Sequence, residues 1–193
     1  MDDRLIAWAR AAAARGGRLP TLWLFTDARR LPDPRQAVAR LPRGLCGVVL
    51  RHDGEPGRSA LGRDLARICR ARRLVLVVAG DVRLAAALGA GVHLRAGRWP
   101  SVNRRRGCLI TSSAHGQADL LRVRRAGASL AFLSPAFTTA SHPGALALGG
   151  VRWARLARGS RLPVAALGGI DVSTVRRLPR RICHAVGAIG ALA

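Results

Sequence analysis

Lysine and tyrosine are absent from this 193-residue chain, so all 33 basic residues are arginines, set against only 10 acids for a formal charge of +23. No apolar stretch approaches the ~20 residues that span a bilayer, which excludes a membrane-crossing helix. The four cysteines, Cys46, Cys69, Cys108 and Cys183, form no CxxC pair. That spacing argues against a structural zinc site and reads as buried free thiols in a reducing compartment. The N-terminus, "MDDRLIAWARAAAARGG", opens acidic and is interrupted by Arg4, Arg10 and Arg15. It lacks the uninterrupted apolar centre of a secretory signal and reads as a helix, so a cytoplasmic location is expected. The arginine excess invites a nucleic-acid reading. Against it, the arginines are scattered through nearly every helical stretch, not gathered into one stripe, and the usage matches coding bias from a GC-rich genome.

What is present is an alternation. Short, near-continuous apolar runs recur at 22–25, 46–50, 74–78, 91–94, 108–112, 130–133, 163–167 and 184–189. Such runs suit strands buried on both faces. Helix-like stretches lie between most of them, at 34–41, 59–72, 82–88, 116–126, 150–159 and 171–177. Ser59 is the expected N-cap of the second of these, and Asp171 that of the last. Eight strands alternating with helices predict parallel pairing by right-handed crossovers, and eight is the number that closes a (βα)8 barrel. An open doubly wound sheet would place a glycine-rich turn after its first strand. Here "LWLFTDARR" contains no glycine, and the paired glycines come late, after the seventh and eighth strands.

The expected fold is therefore a single (βα)8 barrel over residues 1–193, reduced by weak or missing helices after strands four and eight. Residues 1–20 are expected to form a helical extension covering the barrel. The stretch "LPVAALGGID" (162–171) then poses a local question. Two glycines ending a buried strand sacrifice packing. Either they make a tight turn capped by Asp171, or they let a ligand phosphate approach the main chain.

Seven segments in order carry a resemblance: "LFTD" (24–27), "VVLR" (48–51), "LAAALGAGVHL" (84–94), "SSAH" (112–115), "AGASLAFLSPAF" (126–137), "PVAALGGI" (163–170) and "AVGAIGAL" (185–192). The series resembles the thiamine phosphate synthase family, which includes the TenI-like thiazole tautomerases. The resemblance implies a (βα)8 barrel. For the synthases it implies coupling of a pyrimidine diphosphate to a thiazole phosphate, with release of pyrophosphate and use of Mg²⁺. By resemblance, Gly168, Gly169, Ile189 and Gly190 fall on phosphate-binding positions, with Gly190 in place of a serine. Thr139 and Ser141 match the family's Thr-x-Thr, and Ser113 and His142 complete the substrate-binding set.

The diphosphate side departs from the family pattern. Gln-Leu-Arg-Glu-Lys appears as Val49-Leu50-Arg51-His52-Asp53, which keeps Arg51 as a catalytic candidate but replaces the lysine with an acid. The Asn-Asp pair after strand three is Ala79-Gly80, the second metal carboxylate falls at about Arg98, and the lysine after Thr-x-Thr is His142. No metal ligand set is therefore expected, with Asp81 the one carboxylate near enough to serve. Mg²⁺ is implied only if the synthase reaction is retained. Arg95 and Arg98 enter the space where metal and diphosphate would meet. His115, at the end of strand five, matches the tautomerase acid/base. The readings that stand are a synthase-like protein of thiamine biosynthesis, a metal-independent tautomerase using His115, and an inactive barrel that binds a phosphate or a partner. The expected ligands are small phosphorylated heterocycles, not membrane or nucleic acid, and self-association is compatible with the family. Trp99 is placed either to stack on a heterocycle or to pack, while His93 and His184 read as structural.

Overall fold

The computed structural model describes residues 3–100, 107–139, 144 and 146–192. Eight strands run β1 (Leu22–Phe25), β2 (Cys46–Leu50), β3 (Val75–Ala79), β4 (Gly91–Leu94), β5 (Ile110–Ala114), β6 (Leu130–Leu133), β7 (Val164–Leu167) and β8 (Cys183–Ala188). They pair in sequence order, all parallel, and β8 returns to β1 with Leu22 opposite Val186, closing the barrel. Helix α1 (Asp3–Ala13) precedes β1, and α2 (Arg35–Arg40), α3 (Arg58–Arg72), α4 (Val82–Leu88), α5 (Gln117–Arg125) and α6 (Gly149–Arg158) lie between strands. Among the described residues no helix separates β4 from β5. None is long and apolar enough to cross a membrane.

The two faces of the strands build two apolar layers. Trp23, Phe25, Val49, Val77, Leu130, Phe132 and the small Ala79, Ala165 and Ala185 fill the barrel interior. The alternate residues pack outward against the helices. Few aromatics are present, and three of them meet inside: Phe132 lies 4.8 Å from Phe25 and 5.5 Å from Trp23 between ring centres, both edge-on. Edge-on packing suits the ring quadrupoles. The aromatics dictate small partners. A Cβ on Gly47 would lie 2.4 Å from the Trp23 ring, and one on Gly187 would lie 2.9 Å from Phe25. Trp153 and Trp8 are buried outside the barrel, as packing groups.

Several arginines act as clips. Arg15 donates to the Cys183 carbonyl (3.0 Å), Arg72 to Leu41 (2.8 Å), Arg43 to Ala71 (3.3 Å), Arg70 to Leu88 (3.4 Å) and Arg122 to Ala96 (3.2 Å). Each ties one element to the end of another, a use that suits a planar, multi-donor cation on a long stem. Helix α1 buries Leu5, Trp8, Ala9 and Ala12. Its Ala9 carbonyl accepts from the Thr21 hydroxyl at 2.8 Å, which together with Arg15 anchors it beside the N-terminal ends of β1 and β8.

Three local expectations are corrected. The stretch 171–177 forms only a three-residue 3-10 turn, Val175–Arg177. Leu178, which precedes Pro179, is already extended and ends the segment. Ser59 lies inside α3, whose N-cap is Gly57. Strands β3 and β5 begin one and two residues later than their apolar runs. In β8 the ladder steps from Cys183 to Ala185, so His184 bulges out and is exposed. The thiols of Cys46, Cys69 and Cys183 are free and buried, and desolvation pushes each up to about 12.

His93 is enclosed by the barrel, edge-on to Phe25 at 5.5 Å, with Nδ1 and the Thr111 hydroxyl 2.9 Å apart. Burial, aided by the Arg51 and Arg95 charges, lowers its pKa to about 3. An unfolded histidine takes up its proton near 6.5, so the unfolded chain gains a proton that the native chain refuses between those values. Stability is therefore lost as pH falls below 6.5. Between pH 6.5 and 5 the expected loss from this residue is up to about 2 kcal/mol. Urea melts of wild type and His93→Gln at the two pH values check it: the wild type should show the steeper loss, and parallel losses would refute it.

Candidate functional site

At the C-terminal ends of β6, β7 and β8 the loops enclose a cavity of about 540 Å³. Its floor is the glycine pair that follows β7. Gly168 and Gly169 both have positive φ, +91° and +63°. A Cβ on Gly169 would lie 2.4 Å from the Thr138 carbonyl oxygen, and one on Gly168 would lie 3.1 Å from Pro135. The segment after β6 is fastened to this turn: Ala136 N–H donates to the Leu167 carbonyl at 2.8 Å and Phe137 N–H to that of Gly168 at 3.0 Å. The glycines are thus required by the chain's own close packing and by their backbone conformation.

The same packing leaves donors open. Among the described residues no acceptor meets the N–H groups of Gly169, Ile170, Gly190 or Ala191, all of which border the cavity. Asp171 also borders it, but its Oδ1 accepts from Ser173 N–H (2.8 Å), Ser173 hydroxyl (2.7 Å) and Thr174 N–H (2.9 Å). The Ser173 hydroxyl and then the Thr174 amide hold this carboxyl below its usual range. It is a cap for its own turn, as its sequence position suggested. Ile189 lines the wall beside Gly190, where a Cβ would meet nothing within 4 Å.

Side chains complete the cavity. Arg51 enters from β2, its backbone N–H held by the Thr26 hydroxyl at 3.0 Å and its guanidinium 3.5 Å from Asp27. Thr138, Thr139 and Arg30 also line it. His115 stands at the end of β5, its backbone N–H donating to Asp119 at 2.9 Å. Its Nδ1 lies 3.0 Å from the Ser134 carbonyl, which can only accept. The Ser134 hydroxyl is 3.3 Å from the same nitrogen, and a neutral ring with its proton on Nδ1 would leave Nε2 a lone pair.

The structure brings together Arg51, His115, Thr139, Gly168, Gly169, Ile189 and Gly190. Ser113 stands apart: its hydroxyl accepts from Ala96 N–H at 3.1 Å and supports the segment after β4. Ser141 and His142 lie outside the described residues. Arg30 and Thr138 were not singled out by the sequence. Thr138 adjoins Thr139, so "FTTA" held the signal. Arg30 sits in an arginine pair indistinguishable from the many others.

A second cavity, of about 340 Å³, lies at the ends of β2, β3 and β4, lined by Asp53, Arg58, Gly80, Arg95, Arg98 and Trp99. Asp53 Oδ1 is 3.1 Å from Arg58 and its Oδ2 is 2.6 Å from Arg95. Asp81 caps α4, accepting from Leu84 N–H at 2.8 Å, with its other oxygen 3.9 Å from Arg58. Trp99 donates its indole N–H to the Ala126 carbonyl at 3.3 Å and packs against the core, so its ring is anchored from behind.

The contrast between the two late glycines can be measured. Gly169→Ala should cost about 1–3 kcal/mol, from overpacking against main chain and a left-handed backbone. Gly190→Ala, with open space, should stay within about 0.5 kcal/mol. Denaturant melts read both, and equal effects would contradict the packing described.

The family model for thiamine monophosphate synthase matches residues 24–192. The thiamine-phosphate synthase of Thiobacillus denitrificans is 30% identical over 169 residues, covering 80% of this chain and 79% of that protein. That of Geobacillus kaustophilus is 31% identical over 142 residues, covering 70% and 64%. Among solved structures, thiamine phosphate pyrophosphorylase from Pyrococcus furiosus superposes with a TM-score of 0.74 at 22% identity, covering 89% of this chain and 86% of that one. That match spans the closed barrel, and the chain belongs to the thiamine monophosphate synthase family.

Proposed function

We propose that this protein acts in thiamine biosynthesis, in the cytoplasm, and binds a thiazole phosphate by its phosphate group in the larger cavity. The observation that carries the reading is the set of open N–H groups at Gly169, Ile170, Gly190 and Ala191 around one cavity. Main-chain amides without intervening side chains are strong donors to a phosphate oxygen. Arg51 on the same wall supplies a full positive charge. The field of a +23 chain favours entry of any anion.

With the phosphate as a handle, the ring is held toward the centre of the mouth, and the smaller cavity lies on the far side. That arrangement suits the coupling reaction. The thiazole nitrogen donates its electron pair to the pyrimidine methylene carbon, the carbon–oxygen bond to the diphosphate breaks, and pyrophosphate leaves with those electrons. Holding the two partners in line contributes through proximity, and cations around the leaving group stabilise the charge that develops. In relatives that use Mg²⁺, the metal supplies part of that charge. The residues here do not suit a divalent cation. Asp81 is spent on capping α4 and Asp53 is held between two guanidiniums. Among the described residues no group of three or more His, Cys, Asp or Glu gathers anywhere.

One observation favours a second reading, a thiazole tautomerase. His115 lines the same cavity with Nδ1 3.0 Å from the Ser134 carbonyl, a contact that favours the tautomer in which Nε2 is the base. A base so oriented can take a ring proton and return it at another carbon, with no metal.

Calorimetric titration with thiazole phosphate and with its unphosphorylated alcohol, both in chelator, tests the binding site. The phosphate should bind at least about 100-fold more tightly, the value of two or more charge-assisted hydrogen bonds. Gly190→Ser, which restores a hydroxyl in open space, should tighten it further. Equal affinity for phosphate and alcohol would overturn the site. Loss of solvent-proton exchange on the thiazole in His115→Gln, with affinity kept, would select the tautomerase.

A further inference from the structure

We propose that the smaller cavity is an anion site that needs no divalent cation, and that Asp53 is its built-in latch. This deepens the reading above, since it names how the second, diphosphate-bearing ligand would be held. The cavity is lined by Arg58, Arg95 and Arg98. Arg58 is the first residue of α3, and its side chain is only 14% exposed. Its Nη2 donates to the Ala79 carbonyl at 2.5 Å, which fixes the guanidinium at the rim. Its Nε is buried and meets no acceptor among the described residues.

Asp53 supplies the present counter-charge. One oxygen faces Arg58 and the other faces Arg95, so the carboxylate bridges the two guanidiniums as a ligand anion would. Yet it is a poor permanent occupant. Asp53 is 38% exposed and Arg95 is 67% exposed, and a pair so open to solvent is weak. A diphosphate brings more charge and more acceptor oxygens than one carboxylate. Arginine is also suited to grip it by paired N–H bonds. The anion displaces Asp53 toward solvent, and Arg58, Arg95 and Arg98 then face it together. A divalent cation in the same cavity would meet two guanidiniums already bound to the nearest carboxylate. The arginines take the cation's place.

The test is calorimetry with inorganic pyrophosphate, in chelator and again with Mg²⁺. Wild type should bind in chelator, with affinity changed less than about twofold by Mg²⁺. Arg95→Met should weaken binding about tenfold, the loss of one charge-assisted contact. Asp53→Asn should tighten it several-fold, because the competing carboxylate is gone. Arg63→Met, on the exposed face of α3, controls for general attraction to a cationic protein and should leave binding unchanged. Binding that appears only with Mg²⁺, an Asp53→Asn variant that binds equally or more weakly, or equal losses in the Arg95 and Arg63 variants would each overturn the proposal. Thiazole phosphate affinity measured on the same samples separates the two sites. If it persists while pyrophosphate fails to bind, only the latch is lost; if it alone fails, the larger cavity has been misread.

Discussion

The mouth of this barrel rests on one close approach: the Thr138 carbonyl pressed against the turn at Gly168–Gly169. No side chain fits between them, and both glycines hold a backbone conformation that L side chains rarely adopt. Around this contact the segment after β6 is fastened on both sides. It is bound to β7 through Ala136 and Phe137, and to the start of α6 through the N–H groups of Leu148 and Gly149. Trp153 of α6 donates to the Leu133 carbonyl from beneath. Gly169 and Ile170 border the same cavity as Gly190 and Ala191, and among the described residues no acceptor meets their N–H groups. Anion recognition at this end follows from main-chain packing more than from any charged side chain.

The opposite side of the mouth is built on different physics. There the donors are guanidiniums on long stems, held by ion pairs with Asp53 and Asp81. Elsewhere arginine clips helices and strands together through carbonyls. The chain's exclusive use of arginine therefore has structural consequences, whatever its origin in the genome. Arg58 meets Ala79 and Asp53 through Nη2 and faces Asp81 with Nη1 at 3.9 Å, a spread that a single ammonium does not offer.

The barrel was legible because parallel strands covered on both faces must read as short apolar runs, and eight such runs were separable. Strand ends were read less well. Leu74 and Cys108 are apolar enough to extend their runs, but pairing begins only where a neighbour's backbone lies alongside. The stretch 171–177 carries a helix-like pattern, yet the extended Leu178 before Pro179 ends it after one 3-10 turn. At "GG" the sequence left two readings, a turn or a ligand. The structure accounts for the turn through the close approach of Thr138, and the phosphate remains the proposal made above. Arg58 was invisible as a site residue. It lies five positions from Asp53 in sequence, and its importance comes from Ala79, Asp81 and Arg95, which only the folded barrel brings to it.

The central claim is that main-chain amides at the late end of the barrel hold the phosphate. Amide proton and nitrogen chemical shifts during titration with thiazole phosphate test it most directly, because a phosphate acceptor moves a bound N–H downfield. The account predicts large, saturable downfield shifts at Gly169, Ile170, Gly190 and Ala191, with little change at Gly80 and Arg95. Shifts confined to the β2–β4 corner, or none at the four amides while the ligand binds, would contradict it.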